Sequence, residues 1–220
     1  MFALAVPVVL SSFLQRSVGI VDIFLVGGLG ASAIAAVGIA QVMGFVVMSL
    51  SWGINTGSTV LVSQLWGAGR KEDAGKVGYQ SMLVVLLAAV VIMVLGHLAG
   101  WKVAGMLGAN EEVQQILYSY SRIIFTFILF TISINVLSGI MHGTGDTKTP
   151  LYAALIVNVL HVVVAYPLIY GQFGCPALGV KGAAIAIAVS ECLGAAFLFT
   201  RSLERRYIVV SRMLEMRLTL

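Results

Sequence analysis

The residues of this chain that could do chemistry are a few polar side chains set inside long apolar stretches. Ser11, Gln15, Gly19 and Asp22 follow one another at steps of four, four and three residues. That spacing places all four along one face of an α-helix. A carboxylate at the centre of a membrane helix costs about 2.5–3.5 kcal/mol on insertion scales. Asp22 is therefore a candidate for taking up and releasing a cation, with capping of the turn before Gly27 as the alternative.

Three further residues join Asp22 in the predicted cation-coupling set. Asn158 and His161 are three residues apart and share a helix face, which places them on one cavity or in one structural hydrogen-bond network. Glu191 lies midway along a later apolar stretch. It could titrate, pair with Arg16 or His161, or stay protonated and bond to a neighbouring helix. The predicted set is Asp22, Asn158, His161 and Glu191.

A second set of polar residues is predicted to line the same cavity. These residues are Gln15, Arg16, Gln41, Asn55 and Asn135. Arg16 is six residues from Asp22, which makes a direct ion pair awkward, so we expect its partner to lie on another helix. Asn135 belongs to a stripe at steps of four, three and four residues, formed by Thr131, Asn135, Ser138 and His142. Because Ser and Thr can bond to their own backbone, this stripe indicates packing or cavity lining.

Several other chemistries are excluded by spacing. The segment Gly143–Thr149 lacks the spacing of a phosphate-binding loop and is interpreted as a turn. Three His and two Cys residues are too scattered for a zinc site. No nucleophile lies at a spacing that indicates a general base, so we expect no enzyme and no cofactor. These spacings predict no metal site.

The elements that must position these residues are membrane helices. Sixty per cent of the 220 residues are hydrophobic and 10% are charged, against about 45–50% and 25% in soluble domains. This composition excludes a soluble enzyme, a disordered tail and a disulfide-rich secreted module. A span needs about 20 residues. We predict an all-α integral membrane protein with helices at 2–26, 34–66, 77–100, 113–141, 150–170 and 179–200.

The basic residues indicate how these helices are oriented. Nine lie on the side that holds both termini: Arg70, Lys71, Lys76, Lys148, Arg201, Arg205, Arg206, Arg212 and Arg217. Two or three lie on the other: Lys102, Lys181 and, if the fourth helix starts late, Arg122. Because positive loops stay inside, both termini are predicted to be cytoplasmic, in a cell membrane. Residues 1–200 form the membrane unit and 201–220 a basic cytoplasmic tail or linker. A net charge of +4 placed in this way predicts a lipid partner and no nucleic acid.

Small residues recur on two of the predicted helices. One ridge is Ser49, Gly53 and Gly57, and the other is Gly182, Ala186, Ser190 and Gly194. Such ridges let helices approach closely.

Short motifs follow one another in a fixed order along the chain. They are Leu4–Pro7, Val21–Asp22, Val26–Gly30, Gly53–Gly57, Val62–Gln64, Gly67–Gly69, Gly139–Pro150, Pro167–Gly171 and Leu178–Ala184. Each motif is loose by itself, whereas their order and spacing together are specific. In these motifs the chain resembles the multidrug and toxic compound extrusion (MATE) family of cation-coupled antiporters.

The resemblance implies export of cationic amphipathic drugs in exchange for H⁺ or Na⁺ by alternating access. Asp22 matches the first-helix acid that couples ion movement to conformational change in that family, so the resemblance leaves Na⁺ near Asp22 as the one possible metal ion. Asn158 and His161 fall where polar residues of the fifth helix join this network, with His161 at a position where Asn is common. Ala165 stands where an acid is frequent, a departure that Glu191 could offset.

The resemblance also implies that the chain corresponds to half of a transporter. MATE transporters have twelve helices in two six-helix lobes, and this sequence matches the amino-terminal lobe. We expect residues 201–220 to be the start of the interlobe linker, and the chain to be a fragment, a split transporter or one of two paired copies. Two alternatives remain: a lipid-linked oligosaccharide flippase of the same superfamily, with Arg16 and Arg122 as its basic residues, and a non-transporting membrane subunit.

Overall fold

The computed structural model describes residues 2–106 and 109–204, without the side chains of residues 2–4, 50, 99–104 and 204. The described chain is helical and contains no β-strand. Its six helices are α1 (Phe2–Gly27), α2 (Ala31–Gly67), α3 (Lys71–Met106), α4 (Glu111–Gly143), α5 (Lys148–Tyr170) and α6 (Val180–Glu204). The predicted six-helix, all-α architecture is confirmed.

All six helices are long and apolar enough to cross a membrane. Large apolar side chains on their outer surfaces are exposed, with Phe13 at 66%, Phe24 at 80% and Leu87 at 69%. Water would penalise so much exposed hydrocarbon, whereas lipid tails would not. The chain is therefore a multi-pass membrane protein.

The helices pack in two groups that α4 joins. One apolar cluster brings α2 and α3 onto α4, around Val62, Val85 and Ile132. The other brings α1, α5 and α6 together around Val26, Ala165 and Ala184. Half of the residues in the most apolar stretch of α4 and of α6 are buried inside the protein, against 11% of those in α1. The two groups leave a cavity between them, with α4 as its shared wall.

The predicted limits of the third helix, 77–100, were wrong at both ends. Helix α3 begins at Lys71 and ends at Met106. Its first turn carries Glu72 and Asp73. Acidic side chains stabilise this end of a helix because the helix dipole is positive there. The Asp73 carboxylate also pairs with Arg70 at 2.9 Å and with Lys76 at 3.3 Å. The charged segment therefore forms a solvated first helical turn rather than a loop.

The turn predicted at Gly143–Thr149 is confirmed, although its ends belong to the flanking helices. The Asp146 carboxylate accepts hydrogen bonds from the backbone N–H of Lys148 at 3.2 Å and of Thr149 at 3.0 Å. It also accepts one from the Thr149 hydroxyl at 2.6 Å. Asp146 thus caps the start of α5. The Gly-rich segment therefore has a structural role as the turn that joins α4 to α5.

The two small-residue ridges behave differently. On α6, a Cβ added at Gly182 would lie 2.5 Å from the backbone oxygen of Leu168, so α5 and α6 approach closely only because this residue is glycine. On α2, a Cβ added at Gly53 or Gly57 would meet nothing within 4 Å. The α6 ridge therefore packs inside the bundle, whereas the α2 ridge does not.

The predicted boundary at residue 200 falls inside α6, which continues to Glu204. The rest of the predicted tail or linker, residues 205–220, lies outside the described residues. Its cytoplasmic placement stays a prediction.

Candidate functional site

A cavity of about 830 Å³ opens between the two groups of helices. Side chains from α1, α2, α4, α5 and α6 line it. The wall includes all five predicted cavity-lining residues, Gln15, Arg16, Gln41, Asn55 and Asn135. Of the predicted coupling set, Asp22, Asn158 and Glu191 also lie on this wall.

Asp22 is sealed at one edge of the cavity. Its side chain is fully buried, although its neighbour two residues along α1, Phe24, is 80% exposed. The Tyr120 hydroxyl on α4 donates a hydrogen bond to Asp22 Oδ2 over 2.7 Å, and Tyr120 is itself buried. The turn-capping alternative for Asp22 is not what the structure shows, because the carboxylate bonds to another helix.

His161 lies behind Asp22 rather than on the cavity wall. Its Nε2 is 3.5 Å from Asp22 Oδ1, and the His161 side chain is fully buried. Neither ring nitrogen of His161 has a hydrogen-bond partner among the described residues, and Asp22 Oδ1 has none either. Three helices, α1, α4 and α5, thus meet at a carboxylate, a phenol and an imidazole, with one carboxylate oxygen and the imidazole unsatisfied.

Glu191 contacts neither Arg16 nor His161. The Thr131 hydroxyl on α4 donates a hydrogen bond to Glu191 Oε2. Glu191 is half-buried on the cavity wall, and no Lys or Arg lies within ion-pairing distance of it among the described residues. Of the sequence alternatives, the hydrogen bond to a neighbouring helix is the one that the structure shows.

Asn158 ties α1 to α5. Its amide Nδ2 donates to the backbone oxygen of Leu14 and to that of Ala154, each over 2.9 Å. The Ser17 hydroxyl donates to Asn158 Oδ1 over 2.9 Å. Asn158 therefore holds the two helices that carry Asp22 and His161 side by side, and it makes no bond to either residue.

The other predicted cavity-lining residues contact either their own helix or a neighbouring one. The Arg16 guanidinium lies 5.3 Å from the centre of the Trp52 ring on α2, so its predicted partner on another helix is an aromatic face. Gln41 donates to the backbone oxygen of Gly19 over 2.7 Å, and Asn135 donates to that of Thr131 over 2.9 Å. Asn55 lies beside Thr59 on α2, with its side chain on the cavity.

The described cavity wall carries two carboxylates and one guanidinium. The described residues contain no group of three or more His, Cys, Asp or Glu side chains that could hold a metal ion. The wall charge therefore favours a positively charged occupant.

Sequence reasoning missed Tyr120, the one hydrogen-bond donor to Asp22 among the described residues. A signal for it exists. Tyr120 lies 11 residues before Thr131, three helical turns along the same polar stripe of α4. Extending that stripe toward the start of the helix would have found it.

Comparison with protein families gives one match over most of the chain. The family model described as MatE matches residues 7–167. The chain is 33% identical over 186 residues to the probable multidrug resistance protein YoeA of Bacillus subtilis, covering 84% of this chain and 40% of that protein. It is 27% identical over 195 residues to the probable multidrug resistance protein NorM of Thermotoga maritima, covering 89% and 42%. The chain thus spans about two fifths of these relatives.

Solved structures give the same result. The outward-facing conformation of a multidrug resistance MATE family transporter aligns with a TM-score of 0.85 and 25% identity, over 94% of this chain and 45% of that one. An inward-facing conformation described in the same words aligns with a TM-score of 0.77 and 27% identity, over 84% and 41%. The six helices therefore correspond to one lobe of such a transporter.

Proposed function

The chain belongs to the MatE family of multidrug and toxic compound extrusion transporters, and we propose that it forms the amino-terminal lobe of a proton-coupled antiporter. This lobe exports cationic amphipathic compounds by alternating access. Asp22 carries the coupling proton. The homologues named as multidrug resistance proteins support the transported class.

The observation that carries this proposal is the meeting of Asp22 and His161. Asp22 Oδ1 and His161 Nε2 face each other at 3.5 Å, both buried and both without a hydrogen bond among the described residues. Buried polar atoms without partners are costly, so this arrangement favours a change in the protonation state of the pair. One added proton either neutralises the carboxylate or creates an ion pair with the imidazole. Uptake of a proton therefore stabilises the closed cluster, and its release favours a wetter cavity.

A proton suits this cluster better than Na⁺. A hard cation takes several oxygen ligands. The described side chains around Asp22 offer one phenol, which already donates to the carboxylate, and an imidazole nitrogen. We therefore assign H⁺ as the coupling ion at Asp22.

The charge of the cavity favours a cationic substrate over the phosphorylated lipid of a flippase. Asp22 and Glu191 outnumber Arg16 on the described wall. Arg122, the second basic residue of the flippase hypothesis, lines a separate groove with Lys181 and is not on this wall.

Transport requires a second lobe, because the chain spans about two fifths of its relatives. The missing partner is a second six-helix unit, supplied by another chain, by a continuation of this one or by a second copy.

Basic residues indicate the orientation in the membrane. Helix ends on one side of the bundle carry Arg70, Lys71, Lys148 and Arg201, whereas the start of α6, on the other side, carries Lys181. We assign the first side to the cytoplasm.

The test is proton flux in everted membrane vesicles, with the chain expressed alone or together with the second half of a related transporter. Addition of ethidium to energised vesicles should release luminal protons, reported by a pH-sensitive dye, in wild type but not in Asp22→Asn. The same assay with a Na⁺ gradient and collapsed proton gradient should show no exchange. Ethidium export that is driven equally well by Na⁺, or that survives Asp22→Asn, would contradict the proposal.

A further inference from the structure

The two carboxylates of the cavity differ in what can reach them. Asp22 is fully buried, with Tyr120 bonded to one oxygen and His161 facing the other. No drug-sized cation can contact that carboxylate without displacing one of these side chains. Glu191 is half-buried on the open wall of the same cavity.

The hydrogen bonding of Glu191 leaves it ready for a ligand. Its one described bond comes from the Thr131 hydroxyl to Oε2, which orients the carboxylate and leaves Oε1 without a protein donor. Arg16, the one basic residue on the described wall, is held over the Trp52 ring and does not pair with Glu191. A carboxylate in an apolar setting without a counter-charge is costly, so a bound cation would be stabilised there.

The space in front of Glu191 suits an organic cation. The cavity volume of about 830 Å³ lies within the range of about 300–1,000 Å³ that holds drug-sized molecules. Phe45 and Trp52 lie on its wall with ring centres 5.4 Å apart and an edge-to-face arrangement. Phe45 offers apolar aromatic surface to the body of such a molecule, and Trp52, which carries the Arg16 guanidinium over its ring, completes this part of the wall.

We propose that Glu191, oriented by Thr131, binds the positive charge of the exported compound, and that Asp22 does not contact it. The ligand class is a lipophilic organic monocation with an aromatic body. This inference rests on the proposed function, since it takes the cavity to be the substrate path. It moves Glu191 out of the predicted coupling set and divides substrate binding and proton binding between two carboxylates.

The test measures binding directly, without transport. The full chain, with Trp66→Phe and Trp101→Phe so that Trp52 is the single reporter, is placed in nanodiscs and titrated by fluorescence. The probes are tetraphenylphosphonium, whose charge is permanent, and triphenylphosphine oxide, which is neutral and similar in shape. Glu191→Gln should weaken tetraphenylphosphonium binding by about 10- to 100-fold, the effect of one charge–charge attraction in a partly enclosed cavity, and leave the neutral probe unchanged. In an Asp22→Asn background, Glu191→Gln should still weaken the cation by the same factor, because residues that share no ligand contact contribute additively.

The neutral probe serves as the folding control, because a misfolded cavity would lose both ligands. Equal affinity of Glu191→Gln and wild type for the cation would overturn the inference. So would an equal loss of both probes in a variant whose unfolding temperature matches that of wild type, a Glu191→Gln effect that disappears in the Asp22→Asn background, or no saturable binding by wild type. If the cation binds Glu191→Gln normally while the vesicle assay still shows Asp22-dependent proton exchange, this inference fails and the proposed function stands.

Discussion

Asp22 and Glu191 are carboxylates at the wall of one cavity, and each accepts a hydrogen bond from α4, but they differ in how far other side chains enclose them. Asp22 is sealed between three helices, with a phenol on one oxygen and an imidazole against the other. Glu191 faces the open cavity with a single threonine hydroxyl as its described partner. The contrast shows that the neighbouring helices decide what a membrane carboxylate can bind. A carboxylate enclosed by other side chains has room only for a proton, whereas one on an open cavity wall can also bind an organic cation.

Helix α4 supplies the hydroxyl to both sites. Tyr120 and Thr131 lie three turns apart on the same stripe, and each reaches a carboxylate on a different neighbour, α1 or α6. Movement of α4 would therefore change both sites together. Changes to a single hydroxyl should separate them.

The largest expected effect is that of Asp22→Asn on coupled transport. The substitution keeps the size of the side chain and removes the group that binds the proton. Proton-driven export should fall to the level of cells that lack the chain, because a carboxamide does not take up and release a proton near neutral pH. Efflux of ethidium from cells that also express a second lobe measures it.

The matched control for Asp22 is Asp73→Asn. Asp73 is a carboxylate at the exposed start of α3, paired with Arg70 and Lys76. Exposed ion pairs contribute about 0–1 kcal/mol, so this variant should transport normally. Equal losses in the two variants would mean that net charge, rather than the sealed cluster, governs transport.

The next largest effect is expected at the junction of the helices that carry His161 and Glu191. In Gly182→Ala the new Cβ would lie 2.5 Å from the backbone oxygen of Leu168, which cannot move without shifting α5. Overpacking of this kind costs about 1–3 kcal/mol. The variant should unfold at a lower temperature in detergent, and both proton coupling and cation binding should weaken.

Gly53→Ala is the control for that prediction. An added Cβ at Gly53 meets nothing within 4 Å, and alanine favours the helix by up to about 1 kcal/mol over glycine. Its unfolding temperature should be unchanged or slightly raised. A loss of stability as large as that of Gly182→Ala would contradict the difference between the two small-residue ridges.

A smaller effect is expected for Tyr120→Phe, which removes only the hydroxyl bonded to Asp22. A hydrogen bond to a charged group contributes about 1.5–3 kcal/mol, so proton-coupled efflux should fall by about tenfold. Binding of tetraphenylphosphonium should stay at the wild-type value. Tyr118→Phe, on the same helix but in the separate groove of Arg122, is the control. Impaired cation binding in Tyr120→Phe would contradict the separation of the proton site at Asp22 from the cation site at Glu191.

The smallest effect is expected for Thr131→Val, which removes the hydroxyl that orients Glu191. The carboxylate keeps its charge and loses only the bond that orients it toward the ligand, so cation affinity should fall by about three- to tenfold. Proton coupling at Asp22 should be unaffected. Thr200→Val, whose hydroxyl bonds within its own helix to the backbone oxygen of Phe197, should match wild type. A coupling defect in Thr131→Val would show that Glu191 takes part in proton movement.

Much of this protein was determined by its sequence. Apolar runs broken by Gly, Pro and charge fixed six membrane helices, because the bilayer rewards long apolar segments with internal hydrogen bonding. The steps of four, four and three residues between Ser11, Gln15, Gly19 and Asp22 marked the inward face of α1, and the last three of these residues line the cavity. The limits of α3 were missed because charge signals a loop and a solvated helix turn alike.

The tertiary structure alone decided which polar residues meet. Tyr120 and Asp22 are 98 residues apart in the chain, and no local pattern joins them. His161 and Asn158 share a helix face, yet one faces a carboxylate and the other bonds to backbone. Helical spacing specifies a face but not the neighbour that it contacts. Packing of α5 against α1 and the reach of the Tyr120 side chain from α4 sealed Asp22, whereas packing of α4 against α6 left Glu191 open to the cavity.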